Sequence, residues 1–117
     1  MIPHNKEAEH NLLSSFLTEG GASKFDEVAS MLDESDFYRL ENQIIFKCMR
    51  QIIVSGATLD EITLSEELKK DGLIDEVGGI VGMIHSINFT GLVQVTKCAE
   101  IIKEKSNLRK LIRKFKS

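Results

Sequence analysis

Residues 59–79 read LDEITLSEELKKDGLIDEVGG, and they carry the clearest local signals in the chain. Thr63 and Glu66 have the spacing of a capping box, in which each side chain bonds to the backbone N–H of the other residue. A short helix follows, with leucines on one face and two lysines in its last turn, where the helix dipole favours cations. Gly72 then stands where a helix end turns left-handed. The stretch predicts a short capped helix and an inward-facing loop.

Apolar residues recur at helical spacing in several other segments. A first helix is predicted after the N-cap Asn5, ended by the glycines at 20–21, and a second after the N-cap Ser23. A helix from about residue 40 to 54 has a broad apolar face, which is typical of the central helix of a bundle. Two more helices are predicted, over 79–87 and from about 91 to 115, separated by a turn at 88–91. The pattern predicts an all-α fold, a small multi-helix globular bundle followed by a long C-terminal helix.

The composition is that of an ordinary globular domain, because 117 residues contain 42% hydrophobic and 28% charged residues. No apolar run approaches the roughly 20 residues that a membrane span requires, and the N-terminus lacks a secretory pattern. Cys48 and Cys98 both fall on apolar helical faces, which favours buried thiols in a reducing compartment over a disulfide. The sequence predicts a cytoplasmic protein without membrane contact.

The net charge of −3 hides an asymmetry between the two parts of the chain. Residues 1–96 carry 7 basic and 16 acidic side chains, whereas residues 97–117 carry 8 basic and 2 acidic ones. A basic final helix leaves open a second hypothesis, a helical nucleic-acid-binding domain that attracts phosphates without sequence preference. That helix has one aromatic, Phe115, for base stacking, so a solvated basic face is favoured. The cations concerned are Lys103, Lys105, Arg109, Lys110, Arg113, Lys114 and Lys116.

Residue patterns typical of catalysis do not occur in this sequence. The three histidines, at positions 4, 10 and 85, lie in no metal-ligand spacing, and no nucleophile has a matching base. A nucleotide-binding phosphate loop needs a glycine followed by lysine, and no glycine here precedes a lysine. We therefore expect no enzymatic activity and no cofactor in this chain.

The stretch 59–79 resembles the N-terminal domain of the DnaB family of replicative hexameric DNA helicases. The resemblance continues in chain order through PHNKEAEHNLLSS (3–15), DFYRLENQIIFKCM (36–49) and KCAEIIKEKSNLRKLI (97–112). The chain departs from the usual family residues at some positions, where glycine, histidine, tyrosine, alanine and an aromatic are replaced by Ser14, Asn42, Thr96, Cys98 and Gly82.

This resemblance implies a globular head over residues 1–91 and a long helix over residues 92–117, the first arm of a truncated helical hairpin. In the family these domains pair through the hairpins and form a trimer-of-dimers collar on the hexameric ring. A RecA-like domain, absent here, binds ATP and Mg²⁺. The implied function is that of a collar and interaction domain in DNA replication, which supports hexamer assembly and recruits primase or a helicase loader without binding DNA tightly.

Two sets of candidate contact residues follow. On the last helix, Ile101, Leu108 and Phe115 recur every seven residues with Leu111 and Ile112 beside them, and such a stripe predicts a partner helix. These five residues are the predicted self-association surface. For primase or a loader, the resemblance points to Glu7, Gly82, Met83 and Ile112.

Overall fold

In the computed structural model, residues 2–77 and 94–116 are described, and every regular element among them is helical. The elements are α1 (Lys6–Ser15), α2 (Gly21–Val28), a 3₁₀ helix η1 (Glu34–Asp36), α3 (Leu40–Val54), α4 (Glu61–Lys70) and α5 (Val95–Lys116). A further helical turn at residues 74–77 follows α4. The predicted all-α fold with a long last helix is confirmed. The helix predicted over 79–87 and the turn at 88–91 lie outside the described residues.

Helix α1 begins as its sequence predicts. The Asn5 side chain accepts a hydrogen bond of 2.9 Å from the backbone N–H of Ala8, and two glutamates lie in the first turn. Leu12, Leu13 and Phe16 are fully buried on one face. The spacing of these apolar residues was therefore sufficient to orient the helix towards the core.

Helix α2 begins earlier than predicted, and the assignment of Ser23 as its N-cap is wrong. The helix starts at Gly21, and its N-cap is Gly20, whose φ of 75° lies in the left-handed region that favours glycine. The N–H of Gly21 donates to the Thr18 carbonyl oxygen at 2.9 Å. A Cβ on Gly21 would collide with the Phe16 carbonyl group, so the second glycine lets α2 start directly against the end of α1.

Helix α4 also begins one turn early, and the predicted Thr63–Glu66 capping box is wrong. The N-cap is Asp60, whose carboxylate accepts from the Thr63 N–H at 2.7 Å. Thr63 is therefore the third residue of the helix, and its backbone N–H is the group that the cap satisfies. The C-terminus is as predicted, since Gly72 has a φ of 73° and the Leu73 N–H donates to the Leu68 carbonyl at 2.8 Å.

Helix α3 has the predicted bounds and carries the aromatic centre of the core. The ring centroid of Phe46 lies 4.9 Å from that of Phe37, 5.2 Å from that of Phe25 and 6.3 Å from that of Phe16. These four rings come from α2, from α3 and from the residues that directly follow α1 and η1. Phe46 thus joins elements distant in sequence, and aromatic pairs at such separations contribute beyond the area they bury.

The first half of α5 completes the core. Helix α5 has 22 residues and packs against α1, α2 and η1. Val95, Ala99 and Ile102 are buried, as their helical spacing predicts. The predicted head and long helix therefore share one continuous core over this part of α5.

Candidate interaction surface on the last helix

The second half of α5 leaves its large apolar side chains exposed. The exposed fractions are 38% for Leu108, 51% for Leu111, 38% for Ile112 and 84% for Phe115. Leu108 and Leu111 line one surface hollow, whereas Ile112, one helical turn after Leu108, lines an adjacent cleft beside the N-terminal arm. Four of the five residues predicted for self-association are therefore accessible, and their spacing of three and four residues places them along one face of α5.

The remaining predicted contact residues lie elsewhere. Ile101 is half-buried and packs against the core. Glu7 is exposed in the first turn of α1. Gly82 and Met83 lie outside the described residues.

The last helix is fixed to the head by a carboxylate to which sequence reasoning assigned no role. Asp36, the last residue of η1, is 1% exposed. It accepts from the Asp33 N–H at 2.8 Å and from the Ser106 hydroxyl at 2.7 Å. The ammonium groups of Lys103 and Lys110 lie 3.2 and 3.6 Å from its oxygens. One buried carboxylate thus binds two turns of α5.

The protonation behaviour of Asp36 follows from this geometry. Burial by itself raises the pKa of the carboxyl group, because it penalises the charged form. The hydrogen bonds from Asp33, Ser106 and Lys103, with the positive charge of Lys103, outweigh burial, and the pKa lies below its ordinary value of 3.8. Asp36 is therefore ionised at neutral pH, and the anchor is charged.

A second anchor lies one helical turn further along α5. Arg109 is buried, and its guanidinium group donates to the carbonyl oxygens of Asp36 at 2.7 Å and of Pro3 at 2.9 Å. The same group lies over the ring of Tyr38, 5.4 Å from its centroid, and the His4 ring stacks against Tyr38 at 4.2 Å. Arg109 consequently holds the N-terminal arm, residues 2–5, against the last helix.

These contacts bear on the nucleic-acid hypothesis, which relied on seven cations of the last helix. Lys103, Arg109 and Lys110 are engaged by Asp36 or by backbone carbonyls of this chain. They bind α5 to the head and do not form a free basic face. The structure therefore favours an intramolecular role for these three cations.

A further buried carboxylate connects α1 to the start of α3. Glu9 is 2% exposed, and its oxygens accept from the Tyr38 N–H at 2.9 Å and from the Asn42 side-chain amide at 2.8 Å. Asn42 stands where the family usually has histidine, so the chain keeps a hydrogen-bond donor at this position. Sequence analysis did not connect these two residues.

Side chains that could support chemistry do not converge in the described part of the chain. Burial, Lys6 and Arg39 lower the pKa of His10 against an opposing effect of Glu9. Burial, together with Asp71 and Glu67, raises the pKa of the Cys48 thiol to about 11, so it is not a thiolate at neutral pH. Among residues 2–77 and 94–116, no group of three or more histidine, cysteine or acidic side chains could hold a metal ion. Nor does any helix in those ranges combine the length and apolar character of a membrane span.

Comparison with known proteins identifies the family to which this chain belongs. The family model described as "DnaB-like helicase N terminal domain" matches residues 1–104. This chain belongs to that family. The resemblance inferred from sequence motifs is therefore confirmed, and the DnaB-type N-terminal domain extends through the buried half of α5.

Individual relatives agree with the family assignment. The replicative DNA helicase DnaB of Buchnera aphidicola subsp. Baizongia pistaciae is 30% identical over 113 residues, which are 96% of this chain and 24% of that protein. The replicative DNA helicase DnaC of Bacillus subtilis is 33% identical over 112 residues, 95% of this chain and 24% of that protein. The chain thus spans about a quarter of the length of these curated relatives.

A solved structure confirms the fold. The crystal structure of the N-terminal domain of DnaB helicase from Mycobacterium tuberculosis matches with a TM-score of 0.84 at 24% identity. The match covers 97% of this chain and 80% of that chain. The DnaB N-terminal fold therefore accommodates this sequence over nearly its whole length.

Proposed function

We propose that this chain is a collar and interaction domain of a replicative DNA helicase, which supports assembly of the hexamer and recruits primase or a helicase loader. The observation that carries the proposal is the contrast along α5. The apolar residues Val95, Ala99 and Ile102 of its first half are buried in the head, whereas Leu108, Leu111 and Phe115 project from the second half at 38–84% exposure. A soluble domain that orders a helix beyond its own core and leaves it apolar has a surface suited to a partner.

The proposed self-association would bury these side chains against another helix. Burial of one such side chain contributes roughly 1.5–3 kcal/mol. Association also costs the translational and rotational freedom of one chain, so several buried side chains are needed to give a measurable dimer. Lys103 and Arg109 hold this part of α5 at a fixed angle to the head, which reduces the entropy lost on association. Copies of the chain would thereby pair in a defined orientation.

The experiment is the molecular mass of the chain by sedimentation over a range of concentrations, beside a longer version that carries a second helical arm after residue 117. Association that is abolished by Leu108→Asp together with Leu111→Asp supports the proposal. Ile62→Asp is the matched control, because Ile62 is a 75% exposed apolar residue on α4. If both versions remain monomeric, or if the control has the same effect, the proposed assembly surface is wrong.

Recruitment is tested separately, with the C-terminal domain of a bacterial primase and with a helicase loader as probes. Glu7→Lys and Ile112→Asp should weaken binding, because Glu7 is exposed on α1 and Ile112 is accessible on α5. If neither the primase domain nor the loader binds the chain, recruitment is removed from the proposed function. In the same proposal, the chain itself is not an enzyme and binds no cofactor, and ATP and Mg²⁺ belong to another domain of the helicase.

A further inference from the structure

A half-open cleft of about 220 Å³ lies between the N-terminal arm, the segment after η1 and the exposed half of α5. We call it the arm cleft. Its walls combine apolar and basic side chains, including those of Ile2, Tyr38, Arg109, Ile112, Arg113 and Lys116. Among the described residues that line it, none carries a carboxylate. The arm cleft is therefore a local basic and apolar site on a chain whose net charge is −3.

The walls of the arm cleft are held in place by contacts within the chain. Arg109 bonds to the Pro3 and Asp36 carbonyls, and the Gln43 amide donates to the Phe37 carbonyl at 2.8 Å. His4 stacks on Tyr38 on the arm side. Because these contacts are internal, the shape of the cleft is formed before any ligand binds, and little ordering is needed on binding.

The basic side chains of the cleft divide into two kinds. Arg109 is buried and its guanidinium group donates to backbone carbonyls in the walls of the cleft, whereas Arg113 and Lys116 are exposed. Positions 109, 113 and 116 are spaced by four and three residues, so they follow one face of α5. Arg113 and Lys116 thus place two positive charges beside an apolar opening that includes the exposed side chains of Ile112 and Ile2.

We propose that the arm cleft binds an apolar side chain of a partner protein, within a segment that carries carboxylates on both sides of that residue. Pockets for cofactor-sized molecules occupy about 300–1,000 Å³, so a volume of about 220 Å³ suits one or two side chains. The two exposed cations select acidic neighbours by charge complementarity. The inference rests on the recruitment role proposed above and defines the chemistry of the recruited segment.

Single-stranded nucleic acid fits the arm cleft less well. Binding of bases depends on aromatic faces on which they stack. Tyr38 is the exposed aromatic of the cleft, and its ring is already contacted by His4 at 4.2 Å and by Arg109 at 5.4 Å. An aliphatic side chain entering beside Ile112 requires no free ring face, and it is the occupant that the geometry favours.

The test uses a fluorescein-labelled synthetic peptide with one leucine between pairs of glutamates, titrated with the full chain and followed by fluorescence anisotropy. Arg113→Gln with Lys116→Gln should weaken binding about tenfold, because two exposed ion pairs are lost. Lys69→Gln with Lys70→Gln is the matched control, since it removes two exposed cations from α4 and should leave binding unchanged. A peptide with serine in place of leucine, and the variant Ile112→Asp, should each bind at least tenfold more weakly.

Several results would overturn the inference. These are the absence of peptide binding at millimolar concentration, equal weakening by the α4 control pair, and binding that is indifferent to the leucine. A single-stranded oligonucleotide that binds in an Arg113- and Lys116-dependent manner, when the peptide does not, would assign the cleft to nucleic acid instead. Failure of the proposed recruitment is recognised separately, because peptide binding with the expected dependence on leucine, Arg113 and Lys116 would keep the cleft assignment even if neither primase nor loader binds. Failure of the proposed assembly is also separate, because Leu108→Asp with Leu111→Asp should abolish association and leave peptide binding intact.

Discussion

Replacement of Asp36 by asparagine should destabilise the domain by about 3 kcal/mol. The carboxylate is 1% exposed, and it accepts from two donors within 2.8 Å, the Asp33 N–H and the buried Ser106 hydroxyl. Asparagine retains one oxygen for the Asp33 N–H, and its NH₂ group faces Ser106, whose hydroxyl can accept as well as donate, so both charge-assisted bonds become neutral ones.

The magnitude follows from those contacts. A hydrogen bond to a charged group contributes about 1.5–3 kcal/mol and a neutral one about 0.5–1.5 kcal/mol, so the two bonds together lose about 2 kcal/mol. The side chains of Lys103 and Lys110 are 41% and 53% exposed, so they regain water when the charge disappears and add at most about 0.5 kcal/mol each. For a domain of 117 residues, about 3 kcal/mol lowers Tm by about 12 °C.

The assay is thermal unfolding followed by far-UV circular dichroism, at neutral pH and in acid. Because folding depresses the pKa of Asp36 below 3.8, its contribution to stability is complete above pH 3.8 and declines as pH falls below that value. The stability gap between the wild-type chain and Asp36→Asn should therefore narrow in acid. Asp26→Asn is the control, an equal charge change at an exposed position on α2 that should shift stability by less than about 0.5 kcal/mol. A Tm for Asp36→Asn equal to that of the control, or a gap that does not narrow in acid, would refute the reasoning.

Three further substitutions test the packing and the caps, each measured by urea unfolding. Gly21→Ala should destabilise the domain by about 2 kcal/mol or more, because its Cβ collides with the Phe16 carbonyl group; a neutral result would contradict the close contact between α1 and α2. Leu64→Ala should reduce the free energy of unfolding by about 2–5 kcal/mol, since Leu64 is fully buried, and a loss below about 1 kcal/mol would show that α4 is not part of the core. Asn5→Ala should reduce it by about 1 kcal/mol through loss of the 2.9 Å bond to the Ala8 N–H, with Asn5→Ser retaining most of the stability.

Sequence periodicity predicted the elements whose burial depends on local spacing alone. The bounds of α3 and the left-handed Gly72 follow from the apolar repeat and from backbone preference, and both are confirmed. The predicted starts of α2 and α4 were wrong. Asp60 and Thr63 both suit an N-cap, and the sequence alone does not show which backbone N–H each side chain reaches. Gly21 was interpreted as a helix breaker, but it is the first residue of α2. A glycine stands at this position because the Phe16 carbonyl group leaves no room for a Cβ.

The site was only partly accessible to sequence reasoning. The exposed apolar residues of α5 were found because a sevenfold repeat is a local pattern. Asp36 and Ser106 are 70 residues apart, and Arg109 is 106 residues from Pro3, so no spacing rule connects them. The one available signal was the presence of Asp36 and Glu9 inside motifs matching the DnaB family, which marked the positions without indicating their partners.

The two halves of α5 differ in what surrounds their charged side chains. In the part of α5 that packs on the head, Lys103, Arg109 and Lys110 approach Asp36 or backbone carbonyls, so these three cations stabilise the position of the helix. From residue 111 onwards, exposed Leu111 and Phe115 alternate with exposed Arg113 and Lys116. Ligands that bind this second half need not disturb the Asp36 anchor. Asp36→Asn, in contrast, should loosen the contacts with Lys103, Ser106 and Lys110 that help to fix the exposed half of α5, so it should weaken any assembly through Leu108 and Leu111 even though it touches neither residue.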